Sequence, residues 1–77
     1  MRIVGIDPGF AIVGVGFVEF NANKFRTIEQ GAIMTPAGMD FNERLLQIYD
    51  ELSRLLQKHK PQYAAVEKLF FQNNQKT

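Results

Sequence analysis

The 77-residue sequence contains no cysteine. That excludes a disulfide scaffold and a thiolate zinc site, and it suits a reducing, cytoplasmic compartment. His59 is the single histidine, so a multi-histidine metal site is excluded too. Apolar runs are only a few residues long, far below the ~20 that a membrane-spanning helix needs. No secretory leader is expected, because Met1-Arg2 runs into Ile3-Val4-Gly5-Ile6 and then the charged Asp7. The net charge of +1 is too small to indicate a partner.

What is present is ordinary for a folded protein: 45% apolar and 22% charged residues. A chain of this size holds one core, burying roughly 60% of the surface its unfolded state exposes. Residues 1–77 are therefore expected to form part or all of one domain. Charge is unevenly spread. Residues 1–53 carry four basic and seven acidic groups, a net of −3. Residues 54–77 carry five basic groups (Arg54, Lys58, Lys60, Lys68, Lys76) and the acidic Glu67, a net of +4. Such a basic end suits a polyanion. The plainer reading is that Arg54, Lys58 and Lys60 complement the dipole at a helix C-terminus. Lys68 and Lys76 lie beyond that helix and are not explained by it.

Arg2 to Asp7 reads as a short Ile/Val-rich strand, followed by Pro8-Gly9, a turn pair. Ile12 to Phe20 reads as a second strand in which Gly14 and Gly16 leave one face bare. Asn21 to Lys24 is a hairpin connection. Phe25 to Thr35 is a third strand, with Gly31 as the expected bulge. After a loop from Pro36 to Asp40, the residues Phe41, Leu45, Ile48, Tyr49, Leu52, Leu55 and Leu56 trace one helix face. Asp40 or Asn42 caps its start and Pro61 stops it. Tyr63 to Glu67 is a fourth strand. The tail from Leu69 reads as a loop entering a helix.

The expected fold is α/β, a mixed sheet in the order β-β-β-α-β. An antiparallel meander is joined through the helix to a parallel strand by a right-handed crossover. The first strand is then central, with the carboxyl ends of strands one and four side by side. Ligands of open α/β sheets bind outside such ends. Asp7 ends one strand and Glu67 the other. Two carboxylates on strands about 4.8 Å apart repel unless a cation sits between them. Mg²⁺ or Mn²⁺ suits oxygen ligands, and paired ions serve phosphodiester hydrolysis. Gly5 and Ala65 share the faces of Asp7 and Glu67, so the approach is open. Two other readings stand beside this one. Asp-Pro-Gly is a common turn starter and a strand-end Glu is often merely solvated. Gly-Ile-Asp-x-Gly also resembles the phosphate loop of sugar-kinase and actin-like ATPases. Residue chemistry leaves these open.

The segments GIDPGFAIVGVGFVEF and YAAVEKLFFQNNQKT, in this order and spacing, resemble the first two motifs of the RuvC-type Holliday-junction resolvases, within the RNase H-like superfamily. The resemblance covers essentially the whole chain. Pro8-Gly9 directly after Asp7 favours this family over the ATPases. The resemblance implies a metal-dependent, homodimeric endonuclease that nicks opposing strands of four-way junction DNA in recombination and repair. It would work in the cytoplasm with the RuvA–RuvB branch-migration machinery. Asp7 and Glu67 match the family's first two catalytic, metal-binding carboxylates, served by two Mg²⁺ or Mn²⁺ ions per complete site. Phe70 matches the aromatic that engages unpaired bases; its bland reading is a core residue. Lys68 and Lys76 are expected phosphate contacts. Further carboxylates or a histidine, which the family draws from a late helix, have no counterpart here. Asp40, Glu43, Asp50 and Glu51 belong to the loop and helix across the sheet. The chain thus reads as a resolvase lacking its C-terminal half, inactive by itself, with an exposed sheet face that favours association. The competing expectations are an RNase H-like nuclease of other specificity, an ATPase fragment, or a non-catalytic self-associating piece.

Overall fold

A computed structural model describes residues 1–9 and 11–67 of the chain. They form β1 (Arg2–Asp7), β2 (Ile12–Asn21), β3 (Lys24–Met34), α1 (Phe41–His59) and β4 (Tyr63–Val66). The expected order β-β-β-α-β is the observed one. The sheet runs β3-β2-β1-β4. β2 pairs antiparallel with both β1 and β3, and β4 pairs parallel with β1. Two short connections force the meander, and a parallel partner for β1 requires the longer path through α1. No helix among the described residues is long and apolar enough to cross a membrane.

The β2–β3 hairpin is tighter than the sequence suggests. Asn21 and Lys24 still pair, so the turn is Ala22-Asn23 alone. Both have positive φ, 53° and 62°. That is the mirror-image turn whose twist suits a two-residue hairpin. The expected bulge at Gly31 is a correction: Gly31 pairs regularly with Val15, and the register instead slips between Phe17 and Val18, whose partners are Glu29 and Thr27. Ile28 is the extra residue, and it packs against the core. The slip allows Ile28 to reach the core while its neighbour Glu29 meets the helix end. Glycine in a strand marks where a bulge is tolerated; the side chains that gain contacts decide where it forms.

Asp40 is the N-cap of α1, accepting hydrogen bonds from the Asn42 and Glu43 amides at 3.1 and 3.4 Å. Lys60 ends the helix in the left-handed conformation, donating to the Leu56 carbonyl at 2.8 Å, and Pro61 forbids continuation. Ile48, Leu52, Leu55 and Leu56 pack on the core of Val4, Val13, Val15, Phe17 and Ile33. The rest of the expected face does not. Phe41, Leu45 and Tyr49 are 61%, 50% and 68% exposed. Periodicity identifies the apolar side of a helix, but coverage depends on how far the sheet extends beneath it. Two polar residues complete the buried side instead. Arg44 donates to the Thr35 hydroxyl at 2.7 Å and to the Pro36 carbonyl at 3.1 Å. His59 packs on Phe17 with ring centres 4.3 Å apart, and its Nε2 lies 2.5 Å from Glu29 Oε1.

The hydrogen bond from His59, and then that from Lys58, holds the Glu29 carboxyl below its usual value of 4.5. A carboxyl with a lower pKa folded than unfolded adds stability above the unfolded value and loses it as pH falls through the folded one. The melting temperature should therefore fall as the pH drops below about 4.5. Glu29→Gln should lower it at pH 7 and flatten part of the acid dependence. Thermal unfolding followed by circular dichroism from pH 7 to 3 measures both effects. An unchanged acid profile in the variant would remove Glu29 from the account. Glu19, lowered by the N-terminal amine and Arg2, would then remain.

Candidate functional site

Asp7 is the last residue of β1, and Glu67 follows the last residue of β4. Ile6 and Val66 are partners in the parallel ladder. The Glu67 amide extends that ladder by donating to the Ile6 carbonyl at 3.0 Å. The two carboxylate residues are thus neighbours at adjacent strand ends, on strands about 4.8 Å apart. Both are exposed. This is the juxtaposition the sequence leads one to expect. It depends on β1 being central, with β4 added to the side away from the meander.

The ground around them is bare. Asp7 pairs with Gly14, Gly5 pairs with Gly16, and Ala65 is beside Gly5 on β4. By strand alternation these residues share the face opposite the one α1 covers. An open cavity of about 710 Å³ lies over them, and its polar side chains among the described residues are Asp7, Glu67 and Gln30. A Cβ built at Gly14 would be 3.5 Å from the Asp7 Cβ, so a larger residue there would crowd the carboxylate. Chemically, the site offers acceptor oxygens at one end of a shallow floor that a flat, extended ligand can enter.

Among the described residues no group of three or more His, Cys, Asp or Glu side chains converges as a metal cluster. Asp7 and Glu67 stand as a pair. Glu43, Asp50 and Glu51 border a separate hollow on α1 with Met39 and Leu46, consistent with their being no substitute ligands. Lys68, Phe70 and Lys76, expected to meet DNA, lie outside the described residues, as does the expected loop and helix from Leu69. Gln30 is the cavity residue that the sequence reading misses. Its signal was the register of β3 on β2, which sets Gln30 opposite Gly16 and was displaced by the slip near Phe17.

A family model described as Crossover junction endodeoxyribonuclease RuvC matches residues 3–77. A curated protein of that name from Chloroflexus aurantiacus is 52% identical over all of this chain and 47% of its own length. One from Fusobacterium nucleatum is 43% identical over all of this chain and 40% of its own. Among solved structures, Thermus thermophilus RuvC in complex with Holliday junction substrate is similar with a TM-score of 0.85 and 29% identity. That match covers 96% of this chain and 48% of that one. The chain spans about half the length of the curated relatives it matches. The sheet is of the RNase H-like kind, and the chain belongs to the RuvC family of crossover junction endodeoxyribonucleases.

Proposed function

We propose that the chain is the part of a junction-resolving DNA endonuclease domain that supplies its first two catalytic carboxylates, Asp7 and Glu67. The observation that carries this reading is their meeting at the carboxyl ends of two adjacent parallel strands, above a floor of glycine and alanine. Two exposed oxygen-donor side chains fit a hard divalent cation, Mg²⁺ or Mn²⁺. They do not fill the coordination of two ions, which calls for further ligands from the remainder of a protein of the relatives' length. When bound, such a cation supplies charge neutralisation for phosphodiester hydrolysis. The chain's own residues do the rest. Asp7 and Glu67 fix the reacting centre to two hydrogen-bonded strands, and Gly5, Gly14 and Gly16 keep space for the DNA backbone. Phe70, Lys68 and Lys76 follow Glu67 closely in sequence. We assign Phe70 to base stacking and the lysines to phosphate contacts. Four-way junction DNA is the proposed substrate, bound by a homodimer acting with RuvA–RuvB in the cytoplasm. The family membership supports these partners.

The Pro-Gly pair after Asp7 and the family match both favour this reading over a nucleotide-binding ATPase. The test is comparative binding and cleavage by a protein of the relatives' full length that carries this sequence. Paired nicks in a four-way junction, absent from linear duplex, are expected in Mn²⁺. Micromolar ATP binding by calorimetry, without junction binding in gel shifts, would overturn the assignment.

A further inference from the structure

The cavity has a second end. From Asp7 on β1 the floor runs across β2 at Gly14 and Gly16 to β3, where Gln30 sits opposite Gly16. No side chain rises between Gly5 and Gln30, since Gly16 pairs with both residues. A Cβ added at Gly16 would come within 3.9 Å of the Gln30 Cβ, so Gln30 is the first wall that a ligand crossing the floor meets. Its side chain is exposed, and no described residue hydrogen-bonds to it. A glutamine that lines an open cavity from a strand face, with no described hydrogen-bond partner, can serve a ligand.

The chemistry of the two ends is complementary. Asp7 and Glu67 only accept hydrogen bonds when ionised, whereas the Gln30 amide brings two N–H donors. Among the described residues, no lysine or arginine lines the cavity. A phosphodiester strand drawn to the carboxylate end through a cation therefore finds a side-chain donor of the described floor at the Gln30 end. Two strand spacings, about 10 Å, separate β1 from β3. That exceeds the separation of neighbouring phosphates on one strand, about 7 Å once the winding of the strand is added to its axial rise of about 3.4 Å. A phosphate within reach of Gln30 would thus be a different one from that at Asp7 and Glu67.

We propose that Gln30 is a substrate-positioning residue whose side-chain amide donates to a backbone phosphate flanking the reacting one, fixing how the strand lies across the glycine floor. This rests on the nuclease reading of the site and extends it to a named contact. Neutrality is part of the design: an amide holds a phosphate without pairing with the carboxylates that the cation needs.

The test is nuclear magnetic resonance of an isotope-labelled protein of the relatives' full length that carries this sequence, titrated in Mg²⁺ with a short four-way junction made non-cleavable at the crossover, compared with the same junction bearing neutral methylphosphonate linkages in the flanking strand. The Gln30 side-chain amide should shift along with the backbone amides of Gly5 and Gly16, and its shift should vanish with the neutral linkages. Gln30→Ala should weaken binding about tenfold, the lower end of what one hydrogen bond to a charged group is worth, without altering the spectrum elsewhere. Gln30→Glu should weaken it further, and added salt should close that gap by screening the repulsion. Shifts at Gly5 and Gly16 without one at Gln30 would overturn the proposal and spare the nuclease reading, as would full binding by Gln30→Ala. A Gln30 shift that survives neutral linkages would indicate a base contact and reject the phosphate assignment. If no floor resonance moves, the nuclease reading fails and takes this proposal with it.

Discussion

Asp7→Asn or Glu67→Gln, placed in a chain of the relatives' full length, should each cut junction cleavage by roughly 10³-fold or more while leaving junction binding within a few-fold. Each change keeps the side chain's size and removes one anionic oxygen ligand. Metal stabilisation of a phosphoryl transition state is worth several kcal/mol, and each 1.36 kcal/mol or so is tenfold in rate. Losing about 4 kcal/mol of that stabilisation gives the thousandfold figure. Binding should survive because affinity for DNA rests on cationic contacts to phosphate, which neither substitution touches. Folding should survive too, since both residues are exposed at strand ends and Glu67 contributes to the sheet through its backbone amide. The decisive measurement pairs single-turnover cleavage in Mn²⁺ with a gel shift in its absence. Near-parental cleavage by either variant would refute the two-carboxylate site. Equal loss of binding and cleavage would recast the residues as structural.

The strands, their order and the carboxylate pair were legible because each rests on a local signal that topology then multiplies. The alternation in Ile12–Phe20 exposes Gly14 and Gly16 on one face, and a helix between strands three and four makes β4 parallel to β1. Once β1 is central, Asp7 and Glu67 must be neighbours. What stayed hidden depends on partners far along the chain. Arg44 and His59 are not among the residues of the expected apolar helix face, yet both are buried, because the Thr35 hydroxyl and Pro36 carbonyl receive one and Phe17 with Glu29 receives the other. Burying a charged or titratable group is tolerated only where such partners exist, and no spacing rule reports them. Phe41 and Tyr49 erred in the opposite direction: their period is right, but the sheet does not reach under them. Gln30 was missed because its place on the floor follows from register, and a one-residue slip moves a side chain to the other face.

Filling the floor should separate stability from function. Gly16→Leu is expected to leave the melting temperature unchanged or raise it, while lowering cleavage by about 10²-fold, the scale of a substrate displaced by about 1 Å. Glycine inside a strand costs roughly 0.5–1 kcal/mol relative to alanine through backbone entropy, and it offers nothing to pack. Gly16 is not needed for backbone geometry, since Gly38 is the described glycine with positive φ. Nor is it needed to avoid a clash: the nearest approach of an added Cβ is 3.9 Å, an ordinary contact. What Gly16 provides is emptiness between Gly5 and Gln30, and a leucine side chain would stand in the path proposed for the DNA backbone. Gly9 is the control. A Cβ there would collide with the Ile12 carbonyl oxygen, so Gly9→Ala should lower the melting temperature and distort the loop after Asp7. Thermal melts and cleavage rates on the two variants read the distinction directly. If Gly16→Leu cuts at parental rate, the DNA does not cross this floor, and the open cavity beside Asp7 is not the reaction site. If it unfolds the protein, the glycine serves packing, and the space above it has some other origin.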